Sequence, residues 1–204
     1  GKRAREGGAA MCSVAQPTSR REVLALASAF IAASITDPMR PAFAEAESSD
    51  SVDEYVNTKF NYRIEHPTTY KKSNKPVKTH LDEIQFKKSG GSEVGITVDP
   101  VKIASLAEFG TPKQVAKRVL DAEKGRDGIT TAKVLAFGDK TVDGIPYYSI
   151  EYLSSSSRGD KHFISKVAIV SKRLYVLTAV AKFDKFDGEE ASLRAAVESF
   201  TVNE

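Results

Sequence analysis

Beyond residue 60 the chain alternates. Phe60, Tyr62 and Ile64 are separated by Asn61, Arg63 and Glu65 until Pro67 ends the run, the period-two signature of a half-buried strand. Ile84 and Phe86, then Val94, Ile96 and Val98, repeat it on either side of Ser89-Gly90-Gly91-Ser92, which predicts a hairpin. Thr111 followed by Pro112 has the residues of a helix start, with Val115, Ala116, Val119 and Leu120 as its inward stripe and Lys113, Lys117 and Lys124 off that stripe. Four β-branched or aromatic runs follow, at 131–137, 146–153, 163–170 and 174–180. Asp143-Gly144, the polar stretch 154–159 and Ser171-Lys172-Arg173 separate them, so they predict an antiparallel meander. Asp187 with Glu190 forms a capping-box-like start to a closing helix carrying Leu193, Ala196, Val197 and Phe200. One antiparallel β-sheet flanked by helices, an α+β domain, satisfies these apolar faces.

The pattern before residue 60 differs. Residues 23–35 are an uncharged, largely apolar run behind Ser19-Arg20-Arg21, and Ala42-Phe43-Ala44 offers small residues where a signal peptidase cuts, so cleavage is expected after Ala44. A core helix or a membrane span is the alternative, but spanning takes about 20 apolar residues, and Asp37-Pro38 stops any helix soon after. The paired arginines resemble a twin-arginine export signal. Residues 1–19, with Lys2, Arg3 and Arg5 against Glu6 and with added hydroxyls, have the composition of an organelle transit peptide. Two signals in series imply two membranes, and so the chloroplast thylakoid lumen. Residues 45–59 carry Glu45, Glu47, Asp50, Asp53 and Glu54 and are expected to be a flexible acidic arm in which Val52, Tyr55 and Val56 make at most one amphipathic turn. The domain is expected over 60–204.

Removing 1–44 takes away six of the 30 lysines and arginines and leaves a body close to neutral, which argues against nucleic acid as a partner. The one cysteine, Cys12, leaves with the leader, so no disulfide or thiolate chemistry is expected. His66, His80 and His162 lack the i, i+4 spacing of a helical metal pair. Neither a Gly-x-Ser-x-Gly elbow, a phosphate loop nor a dinucleotide fingerprint occurs. The serines at 154–157 and Arg158-Gly159-Asp160 are read as a polar hairpin loop rather than a nucleophile or an adhesion motif. The expectation is a protein that is not an enzyme.

The order of motifs is informative in another way. Phe60-Asn61-Tyr62 precedes Pro67-x-x-Tyr70, Val94-Gly95-Ile96-Thr97-Val98 runs to Pro100, and Phe109-Gly110-Thr111-Pro112 opens a helix. Asp143-Gly144-x-x-Tyr147-Tyr148 precedes Glu151-Tyr152, and Gly159-x-Lys161-His162, Leu174-Tyr175-Val176-Leu177 and Val197-Glu198-Ser199-Phe200 follow. Over 60–202 this series resembles the PsbP family. The resemblance implies an α-β-α sandwich of the PsbP and Mog1 type. It also implies an extrinsic, non-catalytic subunit, peripheral to the thylakoid membrane, that binds lumenal subunits of photosystem II and supports the oxygen-evolving complex. No tightly bound cofactor is implied, and any role with calcium and chloride is an indirect one of retention. The family also holds auxiliary proteins that assist assembly of photosystem I, photosystem II or the chloroplast NAD(P)H dehydrogenase complex. Two departures stand out: the arm is short, and tryptophan is absent, with Tyr70 at the usual Pro-x-x-Trp position and Phe183 or Phe186 near the other.

Lysines supply the binding chemistry. Lys71, Lys72, Lys75 and Lys78 follow the first strand, and Lys161, Lys166, Lys172, Arg173, Lys182 and Lys185 surround the third hairpin. Such groups steer a domain onto an acidic surface in a salt-sensitive way. Pairing Val170 with Leu174 would set His162 opposite Lys182 and near Asp184, where photosystem II members of the family carry a His and Asp pair. His162 and Asp184 are therefore candidates for a surface contact or a weak divalent-cation site. A lumenal hydrolase or isomerase would need a deep pocket of converging polar groups. A Mog1-type small-protein binder would share the architecture but not the leader.

Overall fold

The computed structural model describes residues 51–73 and 79–204. The leader, its cleavage point after Ala44, the arm residues before 51, and Lys75 and Lys78 lie outside the described residues. Seven antiparallel strands form the main sheet, in the order β3 (Lys71–Ser73), β4 (Asp82–Lys87), β5 (Glu93–Pro100), β9 (Arg173–Lys182), β8 (Lys161–Val170), β7 (Ile145–Ser156), β6 (Ile129–Val142). The expected meander is its right-hand half. A second, three-stranded sheet, which the alternation did not reveal, sets β2 (Tyr62–Pro67) between β1 (Val52–Asn57) and β10 (Thr201–Val202).

Nine consecutive residues of β8, from His162 on, are buried. The reason is that both faces of the sheet are covered, since alternate side chains of a strand point to opposite sides. Ile164, Ala168 and Val170 join one cluster with Phe186, Leu193, Ala196 and Val197 of α3 (Phe183–Ser199) and with Tyr62 and Ile64 of β2. Phe163, Val167 and Ile169 join the other, with Leu106 of α1 (Leu106–Phe109) and Val115 and Ala116 of α2 (Pro112–Lys124). Helices thus lie on both sides of the sheet, as expected. α2 starts as its sequence predicts: the Thr111 hydroxyl accepts from the Gln114 backbone N–H, and the Gln114 side chain accepts from the Thr111 N–H.

Three boundaries differ from expectation. Residues 52–57 are strand β1, not arm or amphipathic turn, in register with β2 from Val52↔Pro67 to Asn57↔Tyr62. Only Tyr55 reaches the core, edge-on to Phe86 at 5.7 Å, while Val52 and Val56 stay exposed; a backbone ladder with one apolar anchor leaves little trace in hydrophobicity. α3 begins at Phe183 with Lys182 as N-cap and no side-chain cap, so Asp187 and Glu190 lie inside the helix. Its dipole is met instead by Asp184 in the first turn. The strand β7 runs on through Ser156, so only the end of the serine run is loop.

Candidate functional site

Each predicted binding residue inherits its position from one of these strands, and the hairpin β8–β9 decides most of them. Ser171 and Lys172 both take positive φ, 51° and 57°, giving the two-residue turn whose twist suits a hairpin. Val170 therefore pairs with Arg173 rather than Leu174, and the register shifts by one: His162 faces Ala181, and Lys161 faces Lys182. His162 is buried, its ring stacked on Phe186 at 3.5 Å, and no hydrogen bond or ion pair joins it to Asp184. The expectation of a surface histidine beside Asp184 is overturned by that single step in register. Among the described residues no group of three or more His, Cys, Asp and Glu side chains is arranged to hold a metal ion.

The true partner of His162 is Glu151, with Nε2 2.7 Å from Oε1. Arg194 of α3 grips the same carboxylate with Nη2 at 2.8 Å and Nη1 at 3.2 Å, and its Nε reaches Glu190 at 2.7 Å. Burial pushes the Glu151 carboxyl up, but the bonds from Arg194 and His162 more than offset it and hold the group below its ordinary range. This network ties α3 to β7. Arg194 was missed from sequence because an exposed helical arginine carries no mark of its partner.

Lys166 also departs from expectation. It is 4% exposed, and its ammonium donates to the carbonyls of Val197, Glu198 and Phe200 at 3.0–3.1 Å, the orphan acceptors at the end of α3. It closes a helix rather than meeting a partner. Tyr70, at the position where the family usually has tryptophan, is buried and donates to Glu189 on α3, which Lys88 also holds at 2.7 Å. Of the two phenylalanines near the second tryptophan position, Phe186 is buried and Phe183 is exposed. Ser154 is buried too and donates to Glu123, whose other carboxylate oxygen Arg126 pairs.

The remaining cations divide between the two ends of the sheet, about 30 Å apart along a ten-residue strand. At one end Lys161 and Lys182 sit directly opposed and exposed, with Lys185 and Asp184 exposed in the first turn of α3. The rung Lys71↔Lys87↔Glu93↔Val180 runs two residues away. Lys87 is neutralised by Glu93 at 3.1 Å, while Lys71 is exposed, its ammonium on the Thr68 carbonyl. At the far end lie exposed Lys172 and half-buried Arg173, whose guanidinium sits 5.5 Å from the Phe60 ring centroid. Lys72 turns aside over the Tyr55 ring at 4.8 Å. Like charges facing each other across a ladder weaken it, so the Lys161–Lys182 pair is costly unless an anion answers it.

Comparison with known proteins agrees with this architecture. The PsbP family model matches residues 50–202. PsbP domain-containing protein 2, chloroplastic, of Arabidopsis thaliana is 29% identical over 156 residues, covering 76% of this chain and 66% of that protein. PsbP-like protein 1, chloroplastic, of the same plant is 24% identical over 53% of this chain and 47% of its own length. CyanoP of Thermosynechococcus vestitus is 27% identical over 53% of this chain and 63% of its length. The chain thus spans about half to two thirds of these relatives. They support a location in the chloroplast thylakoid lumen. The solution structure of CyanoP from Synechocystis shares the fold with a TM-score of 0.62 at 18% identity, covering 78% of this chain and 96% of that one. Saccharomyces cerevisiae Ran-binding protein Mog1p does so with a TM-score of 0.50 at 8% identity, covering 76% and 96%. With the family match running from residue 50 to residue 202 over a CyanoP-like sandwich, the chain belongs to the PsbP family.

Proposed function

We propose that this protein is an extrinsic, non-catalytic component of the thylakoid lumen that docks through its lysines onto the lumenal side of photosystem II and supports the oxygen-evolving complex. The observation that carries this reading is the exposed, directly opposed pair Lys161–Lys182 with Lys185 and Lys71 at the same end of the sheet, a concentration of positive charge on a nearly neutral body. An acidic lumenal surface relieves the repulsion within the pair and is attracted to it. Calcium and chloride are retained by the partner complex under this reading, not ligated by this chain. Strand β1 favours a second reading. Residues 52–57 are committed to a ladder with β2 and so are not free as part of a flexible arm, which suits an auxiliary factor in assembly of photosystem I, photosystem II or the NAD(P)H dehydrogenase complex.

One experiment separates these readings. Thylakoids are solubilised gently, their complexes separated under native conditions, and the migration of this protein followed. Co-migration with mature photosystem II supports the first reading, and co-migration with another complex or an assembly intermediate supports the second. Washing membranes with concentrated salt releases the wild type, because exposed charges are screened beyond about 8–10 Å. A Lys161→Glu/Lys182→Glu variant already fails to bind at low salt. Full retention of both proteins through the wash would contradict an electrostatic dock.

A further inference from the structure

A different surface has no role in that account. Between α2 and β6 runs an open groove of about 460 Å³, walled by Ala116 and Leu120 on the helix and by Val134 and Phe137 on the strand. Phe137 is 47% exposed and Leu135 43% exposed, large apolar side chains left uncovered. The strand is built to leave them so. Val134 and Phe137 are three apart, an odd spacing that places residues of a regular strand on opposite faces. A bulge between Val134 and Ala136 inserts Leu135 as an extra residue, so Val134 pairs with Tyr152 and Phe137 with Ile150, both on the face that α2 covers. The irregularity thus aims an aromatic ring into a groove that no described residue fills.

Two further observations say what fits there. Three lysines of α2, Lys113, Lys117 and Lys124, line the groove; Lys117 is held by Asp121 at 2.8 Å, while Lys113 and Lys124 make no ion pair among the described residues. And β6, 14 residues long, pairs only with β7 among the described residues, so its outer edge offers backbone donors and acceptors. We propose that the groove between α2 and β6 receives an extended, acidic segment of a partner protein, which adds along the open edge, inserts an apolar side chain between Leu120 and Phe137, and sets carboxylates beside Lys113 and Lys124. A bilayer satisfies the apolar walls but not the free backbone groups of the edge, which hydrocarbon leaves unpaired. A second copy laid groove to groove would bring the same lysines together. The inference rests on reading the chain as an adaptor, and it adds a second contact on a face other than the Lys161–Lys182 end.

The test uses the nitrogen-labelled full chain and a synthetic peptide about ten residues long in which Glu and Leu alternate, the length of a long strand. Amide signals of α2 and of the outer edge of β6 shift on titration, and Lys113→Glu/Lys124→Glu and, separately, Phe137→Ser each weaken binding about tenfold or more. Equal binding of a Lys-Leu peptide, shifts confined to other surfaces, or no binding by the wild type overturns the proposal. So do shifts of the same amides with phosphatidylglycerol vesicles in the absence of any response to the peptide, which would mark a lipid contact. The outcome is independent of thylakoid co-migration: a chain that migrates with a complex yet ignores the peptide loses only the groove, and the converse loses only the adaptor reading.

Discussion

Replacing Lys166 by methionine isolates the link between the centre of the sheet and the end of α3. Methionine keeps most of the apolar stem, so packing changes little, but the carbonyls of Val197, Glu198 and Phe200 lose their common donor. Each acceptor stranded in a buried site costs about 1 kcal/mol or more, which for three gives about 3 kcal/mol. Against this, the variant no longer buries an ammonium, a cost visible in the lysine itself, whose pKa burial lowers from its ordinary value. The net loss is expected at about 2–3 kcal/mol. In urea, with a slope near 2 kcal/mol/M for a domain of this size, the midpoint falls by about 1 M with the slope unchanged. The pH dependence supplies a second readout. A lysine whose folded pKa is depressed binds fewer protons in the fold than in the unfolded chain between that lowered value and 10.5, so its contribution to stability rises with pH across that window. The gap between wild type and Lys166→Met accordingly widens as pH climbs, and the buried tyrosines cancel in the difference. A loss below about 0.5 kcal/mol, or a gap independent of alkaline pH, would refute the idea that a buried, desolvated ammonium closes the helix.

Glu151→Gln tests the clamp on α3. Because its folded pKa is depressed, the stability Glu151 contributes is complete above the ordinary carboxyl value of 4.5 and is lost as pH falls through the lower folded value. The variant should lose about 1–2 kcal/mol at neutral pH and show a flatter acid limb in chemical denaturation; an unchanged limb would mean that Arg194 and His162 do not depend on the charge. Ser171→Asn with Lys172→Gly places at the two positive-φ positions the residues such turns prefer, and should raise stability by about 0.5–1 kcal/mol in the same assay. A loss instead would show that the Lys172 region is held by contacts other than the turn.

How much of this was legible depends on whether a residue's role is local. The hairpins, the start of α2 and the meander were, because alternation, Thr111-Pro112 and Asp143-Gly144 act over a few residues. That Tyr147 and Tyr148, neighbours on opposite faces, are both buried reflects a sheet covered twice, which the alternation alone did not reveal. What failed was of two kinds. One is counting: treating Ser171-Lys172-Arg173 as the connection, rather than Ser171-Lys172, moved the partner of His162 from Ala181 to Lys182 and made a buried ring look like a surface ligand. The other is charge inside the fold. Lys166 reads as exposed in any strand pattern, because its acceptors lie more than 30 positions along the chain and nothing near it announces them. The bulge at Leu135 was similarly hidden, since inserting one residue erases the very periodicity used to find the strand.

The small sheet has a consequence for how the molecule is made. β2 holds β1 along one edge and β10 along the other, and Asn203 donates to Asn61 at 2.7 Å while Val202 donates to the Tyr147 hydroxyl at 2.8 Å. The last of the described strands is thus a neighbour of the second in sequence order. A ribosome still holding residues 201–202 in its tunnel cannot let that sheet close, so completion of the body waits until β10 has emerged. Until then the nascent domain keeps an open seam beside Tyr62, and loss of residues 201–204 would leave that seam permanently unsewn.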